Sequence, residues 1–186
     1  AMRLLGMLLA LGAMGWVLPH VAEVNLWHIV LFAVLGLVIG SFLNVLIYRL
    51  PLMILRNEEP ETAAFNLKTP RSHCPHCQHQ LHWYELIPVL SYAVSLGRCR
   101  HCQRPISWRY PLVEILTAAL FCLCLLKFGF AGPALLASAF CAMLLALAWI
   151  DAETFLLPDA LTQALLWVGL IGSAMSLTPT PLLHSL

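Results

Sequence analysis

Four apolar runs, at about 27–48, 112–130, 132–150 and 160–177, each approach the roughly 20 residues that an α-helix needs to cross a bilayer. A segment in hydrocarbon has to satisfy its own backbone N–H and C=O groups, which for single runs of this length leaves only helices. The expected architecture is an all-α integral membrane helical bundle. Composition agrees: the chain is 61% hydrophobic and 10% charged, against roughly 25% charged residues in soluble domains. A further apolar stretch, "LLGMLLALGAMGWVL", follows Arg3. Pro19, His20 and Glu23 come after it without a small-x-small cleavage pattern, so residues 1–26 read as an N-terminal hydrophobic, interfacial segment. No internal repeat and no low-complexity tract is apparent in the sequence.

Charge position carries more information than charge sum. A net charge of +1 with ten scattered Lys and Arg excludes a polyanionic partner and leaves no nucleic-acid face. Eight of the ten basic residues (Arg49, Arg56, Lys68, Arg71, Arg98, Arg100, Arg104 and Arg109) lie between the first and second runs. An excess of Lys and Arg marks a cytoplasmic loop. The chain therefore divides into a first span at 27–48, a cytoplasmic insert at 49–111, three further spans within 112–177, and a tail at 178–186. Following the spans through, the second leaves near "FGFAGP", the third returns, and Asp151 emerges on the cytoplasmic side.

The insert contains Cys74-Pro-His-Cys77 and Cys99-Arg-His-Cys102, with 21 residues between the pairs. This spacing is close to that of two-knuckle zinc ribbons, in which each C-x-x-C supplies two thiolates to one tetrahedral ion. Disulfides and a redox C-x-x-C are the alternatives; a reducing cytosol disfavours the first, and the second needs one pair rather than two. His73, His76, His79 and His101 lie nearby as competing donors, but four thiolates already close the shell. A closed site of four cysteines has no open position, so Zn2+ here is structural and does not perform hydrolysis. Cys122, Cys124 and Cys141 lie singly in apolar runs, as lipid-facing or packed residues.

"WIDAETFLLPD", residues 149–159, holds both aspartates of the chain at the end of an apolar run. Asp159, after Pro158, suits the N-cap of the fourth span. Asp151 falls at a helix C-terminus, where the dipole disfavours an acid, and an ionisable group beside a span is a functional candidate by default. Facing another carboxylate in a partly dry site, it would share a proton, one group acting as general base on water and the other as general acid.

Four ordered blocks, "GLVIGSFLNVLIYRLP" at 36–51, "CPHCQHQLHWYELIPVLSY" at 74–92, "GRCRHCQRPISWRYPLVE" at 97–114 and "IDAETFLLPD" at 150–159, resemble the bacterial prepilin leader peptidases with linked N-methyltransferase activity, a family of membrane aspartic proteases. The resemblance implies a multi-pass protein of the bacterial inner membrane with its active face cytoplasmic. It implies type IV prepilin or type II secretion pseudopilin substrates, whose leader is cut and whose new N-terminus is methylated with S-adenosylmethionine. It maps the zinc ligands onto Cys74, Cys77, Cys99 and Cys102 and the first catalytic carboxylate onto Asp151, with Asp159 as a weaker second. Gly36, Gly40 and Ser41 would allow close helix packing, and Asn44 and Arg49 would lie at the membrane interface. The methyl donor's site is not assigned; Glu85, Arg104, Arg109 and Glu114 are polar residues of the matching region. The family's second aspartate belongs to a G-x-G-D-x-K block that the 186 residues do not contain, so the missing C-terminal portion or another chain is expected to supply it. Asp151 and Asp159 are eight apart, about 80° of rotation and 12 Å of rise on one helix, though Pro158 interrupts it. Two other readings remain: a zinc-stabilised membrane module that binds leaders or assembly proteins, and methyl transfer alone.

Overall fold

A computed structural model describes residues 24–56, 71–74, 76–175 and 177, without the side chain of Trp83. The readings of residues 1–23 and of the tail at 178–186 lie outside the described residues. Among the described residues four long helices form: α1 (Leu26–Arg56), α3 (Arg109–Phe128), α4 (Gly132–Thr154) and α5 (Asp159–Ala174). Between α1 and α3 lie a short 3-10 turn, Trp83–Leu86, and the five-residue helix α2 (Leu90–Val94). Among the described residues there is no strand, only two isolated antiparallel bridges. The expected class, a helical membrane bundle with a small cysteine-rich insert, is the one observed.

Among the described residues three helices are long and apolar enough to cross a membrane: Leu26–Leu55, Arg109–Phe128 and Gly132–Thr154, with mean hydropathies of 2.6, 2.0 and 2.1. The fourth apolar run forms a helix of 16 residues, a rise of about 24 Å against a hydrocarbon core of roughly 30 Å. Helix α1 runs past the expected end of the first span at 48, through Pro51 to Arg56. Pro51 costs the helix one hydrogen bond and crowds the preceding turn, yet α1 continues because its inner face stays packed: Leu43, Leu46, Ile47 and Arg49 are all buried. Arg49 is thus held against protein rather than extended into water.

Helices α1 and α3 meet through small residues. A Cβ on Gly36 would lie 2.5 Å from the Ala118 Cα, and one on Gly40 would lie 2.7 Å from the Glu114 Cα. One turn further on, Asn44 Nδ2 donates to the Tyr110 carbonyl at 3.0 Å. These three pairings, 36 with 118, 40 with 114 and 44 with 110, share one constant sum. They define an antiparallel register in which backbones touch and only glycine fits, the close approach that small residues allow in lipid. The opposite face of α1 carries Val30, Val34, Val38 and Phe42, all exposed at four-residue spacing, as expected for a lipid-facing stripe.

Helix α4 packs by the same logic. Ala134, Ser138, Ala142, Ala146 and Ile150 recur every fourth residue on its buried side, one face of an α-helix. Ser138 Oγ and Thr117 Oγ1 return their hydroxyls to the carbonyls four residues back, each at 2.7 Å, so neither buried hydroxyl lacks a partner. Cys124 is buried and Cys122 and Cys141 are half-buried, in keeping with packed membrane thiols.

Candidate functional site

The two C-x-x-C segments fold as near copies of one turn. In the first, the Cys74 N–H donates to the His79 carbonyl and the Gln78 N–H to the Cys74 carbonyl, both at 2.9 Å. In the second, Cys99 and Arg104, then Gln103 and Cys99, make the same bonds at 2.9 Å. Antiparallel bridges flank each turn, His73 with Gln80 and Arg98 with Pro105. Gln78 and Gln103 both take φ of 57°, the left-handed conformation that reverses the chain after the second cysteine of each pair. This shared C-x-H-C-Q pattern is a short repeat that a search for longer periods passes over.

The turns bring the Sγ atoms of Cys74, Cys77, Cys99 and Cys102 within 4.8 Å of one another, with Cys74 and Cys102 3.8 Å apart. A tetrahedral zinc with Zn–S bonds of about 2.3 Å has S–S edges of roughly 3.8 Å, so the thiols are placed to bind a metal such as zinc. Burial raises the Cys74 thiol, but the N–H groups of Cys77 and His76 and the adjacent sulfurs outweigh it and hold it down to about 7. At Cys77 the N–H of His79 lowers the thiol, while burial and the sulfurs of Cys74, Cys102 and Cys99 prevail and push it up to about 11. One thiolate makes the next harder to form, and a divalent cation at the centre reverses that order.

The histidines lie outside this shell. His79 and His101 face each other with ring centroids 3.6 Å apart, and His76 Nδ1 is 3.4 Å from an Arg104 nitrogen. A left-handed glutamine costs about 1–2 kcal/mol, which glycine largely avoids. Gln103→Gly is therefore expected to stabilise the module by about 1 kcal/mol, offset only by the side chain's long 3.4 Å bond to the Arg100 carbonyl. Competition with a chelator checks this: metal should leave the variant several-fold less readily, and equal or faster loss would refute it.

The module is tied to the bundle by Glu114, an acid in the second turn of α3. Its Oε2 accepts the Val89 N–H at 2.7 Å, and Glu114 is only 7% exposed. Val89 has φ 58° and ψ −45°, a strained setting for a β-branched residue, and the bond to Glu114 helps to fix it. Sequence reasoning gave Glu114 no particular role. The available signal was its place as a lone acid inside an apolar run, which in a membrane helix marks an inward-facing residue.

Arg109, at the start of α3, bonds Glu153 at 2.7 and 3.0 Å, and Trp149 Nε1 donates to the same carboxylate at 2.9 Å. The end of α4 is thereby joined to the point where the module enters the bundle. Asp151, in the last turn of α4, thus lies at the module's end of the molecule, and its side chain is exposed. Phe155 caps the helix in the left-handed conformation, its N–H on the Asp151 carbonyl at 2.9 Å. Asp159 follows four linking residues later, also exposed. Pro158 is the N-cap of α5, with no side-chain cap bond. Asp159 thus occupies the first turn, where the helix dipole favours an acid, rather than the cap position itself.

Residues 34–128 match the profile of the bacterial peptidase A24 N-terminal domain, and residues 138–186 match that of the type IV leader peptidase family. The chain belongs to the peptidase A24 family. Its relatives include a prepilin leader peptidase/N-methyltransferase of Burkholderia pseudomallei (strain 1026b), 49% identical over 74% of this chain and 49% of the relative. A type 4 prepilin-like proteins leader peptide-processing enzyme of Escherichia coli O78:H11 is 45% identical over 82% of this chain and 60% of its own. The prepilin leader peptidase/N-methyltransferase of Pseudomonas aeruginosa is 41% identical over 86% and 59% respectively. This peptidase A24 chain thus spans between about half and three fifths of the length of these relatives. No solved structure matches it.

Proposed function

We propose that this chain carries the first half of a prepilin leader peptidase and N-methyltransferase of the bacterial inner membrane, with its active face cytoplasmic. The observation that carries the reading is the placing of Asp151 at the same end of the bundle as the thiol module, through the Arg109–Glu153 pair. Eight of the ten basic residues lie between α1 and α3 or at their ends, a bias that supports a cytoplasmic position for that end. A prepilin or pseudopilin leader that never crosses the membrane would meet Asp151 there.

In this reading Asp151 is one carboxylate of an aspartic dyad. Two carboxylates a few ångströms apart share a proton, so that one activates water while the other protonates the leaving amine. Asp159 is the weaker candidate for the partner, because its place in the first turn of α5 already accounts for it. The partner is then supplied by residues outside the 186, in the same polypeptide or another. Zn2+ on the four thiols would hold the module folded. The new amino terminus would receive a methyl group, S-adenosylmethionine being the donor that the resemblance implies.

The test is leader removal from a purified prepilin, followed by mass. The chain is assayed in lipid, alone and joined to the C-terminal part of the Burkholderia relative. Cleavage by the joined protein only is the expected result. Cleavage by the chain alone would overturn the external carboxylate, and cleavage by neither, with both proteins folded, would overturn the peptidase reading.

A further inference from the structure

A cavity of about 210 Å3 lies between the module, the middle of α1 and the start of α3. Its lining includes Ser41, Asn44 and Glu114 from the bundle and Tyr92, Leu81 and Ile106 from the module. Asn44 is only 3% exposed. Its Nδ2 donates to the carbonyls of Gly40 and Tyr110, at 3.3 and 3.0 Å, which fixes the amide orientation, since a flip would set oxygen against two carbonyl oxygens. Its Oδ1 is buried and has no partner among the described residues. An unpaired buried acceptor costs about 1–3 kcal/mol, and a ligand that donates there removes the cost. Glu114, which lines the same cavity, accepts the Val89 N–H and has the Ser41 hydroxyl as a second hydrogen-bonding neighbour; a carboxylate offers about four lone-pair sites, so acceptor capacity is left.

The geometry points to a binding pocket for a primary ammonium group that carries an apolar side chain, with Asn44 Oδ1 and Glu114 accepting its protons. Three N–H donors on one nitrogen suit clustered acceptors, and Leu81, Ile106 and the Tyr92 ring supply the apolar wall. The ligand's identity rests on the functional reading above: the amine is the amino terminus exposed by leader removal, bound as its ammonium, which would pass one proton to Glu114 and so free the nitrogen lone pair before it is methylated. Asp151 is not among the residues that line the cavity, so the pocket would separate the two reactions in space.

The test uses the 186-residue protein in lipid nanodiscs and an apolar hexapeptide amide with a free amino terminus, beside its N-acetylated twin. The free amine is expected to bind at least tenfold more tightly. Asn44→Leu should erase that preference, and so should Glu114→Gln, which can still accept the Val89 N–H if Asn44→Leu fails to fold. Equal binding of the two peptides would overturn the proposal and leave the cavity to water. A preference that survives both substitutions would place the amine elsewhere and also overturn it. S-adenosylmethionine is titrated in parallel: if its binding falls in these variants while the peptide's does not, the pocket belongs to the donor and the proposal fails. None of these readouts requires cleavage, so a failed peptidase reading would show separately, in the prepilin assay.

Discussion

Chelating the metal from the purified, zinc-loaded protein is expected to unfold residues 71–106 while α1, α3 and α4 remain helical. The reason lies in what the module buries. Between residues 71 and 108 the only buried apolar side chains among the described residues are Cys74 and Cys99. Leu86, Leu90, Val94 and Leu96 are exposed, so no packed core is left to hold the segment when the ion is gone. Structural zinc contributes about 10–16 kcal/mol in small zinc peptides, more than the turns and bridges here replace. Cys74→Ser, which removes one ligand, should act in the same direction. Amide hydrogen exchange is the measurement: protection at Gln78, Cys99 and Gln103 should collapse on chelation while that within α3 persists. Unchanged protection in the metal-free protein would remove the structural role. Affinity should fall with acidification, because the thiols must lose protons to bind.

The second large effect is expected at Asp151. In the joined protein, Asp151→Asn keeps the volume and the Phe155–Asp151 backbone cap but cannot exchange a proton, and general acid–base groups contribute about 10^2–10^4-fold to a rate. Leader cleavage should fall by that factor with the protein still folded, whereas Asp159→Asn should cost at most a few-fold. The discriminating measurement is kcat at saturating prepilin. A raised KM with kcat intact would make Asp151 a binding residue instead. Methylation of a peptide already lacking its leader should be untouched by Asp151→Asn, because the proposed amine pocket lies with Asn44 and Glu114.

Much of this was legible in the residues. Hydropathy marked α1, α3 and α4, because lipid leaves helices as the only option for such runs. The paired C-x-x-C spacing located the thiol cluster, because each knuckle is local and the sequence between the pairs need only return. Reading stopped at the Arg49–Pro51 boundary, where charge and proline together suggest a helix end. The structure continues α1 to Arg56 because tertiary packing along Leu46, Ile47 and Arg49 outweighs the local cost of Pro51. Glu153 lies between the two aspartates with no local pattern to mark it, and its bond to Arg109 spans 44 residues of sequence. Pairings between distant segments leave no local pattern. Asn44 was expected at the membrane interface as a polar residue needing satisfaction; only the opposing helix shows that its amide nitrogen is satisfied and its oxygen is not.

The register between α1 and α3 has a consequence for how the insert can form and vary. Closing a flexible loop costs entropy that grows only as the logarithm of its length. Here the closure is made by the bundle, through the Gly36, Gly40 and Asn44 pairings, and not by the metal. By that register Val45 faces Arg109, so the stem closes at residues 45 and 109 while α1 runs on to Arg56, and the insert starts folding on a stem that is already formed. Insertions or deletions at its solvent-facing turns would change the contents of that loop while leaving the paired helices, and Asp151 beyond them, where they are.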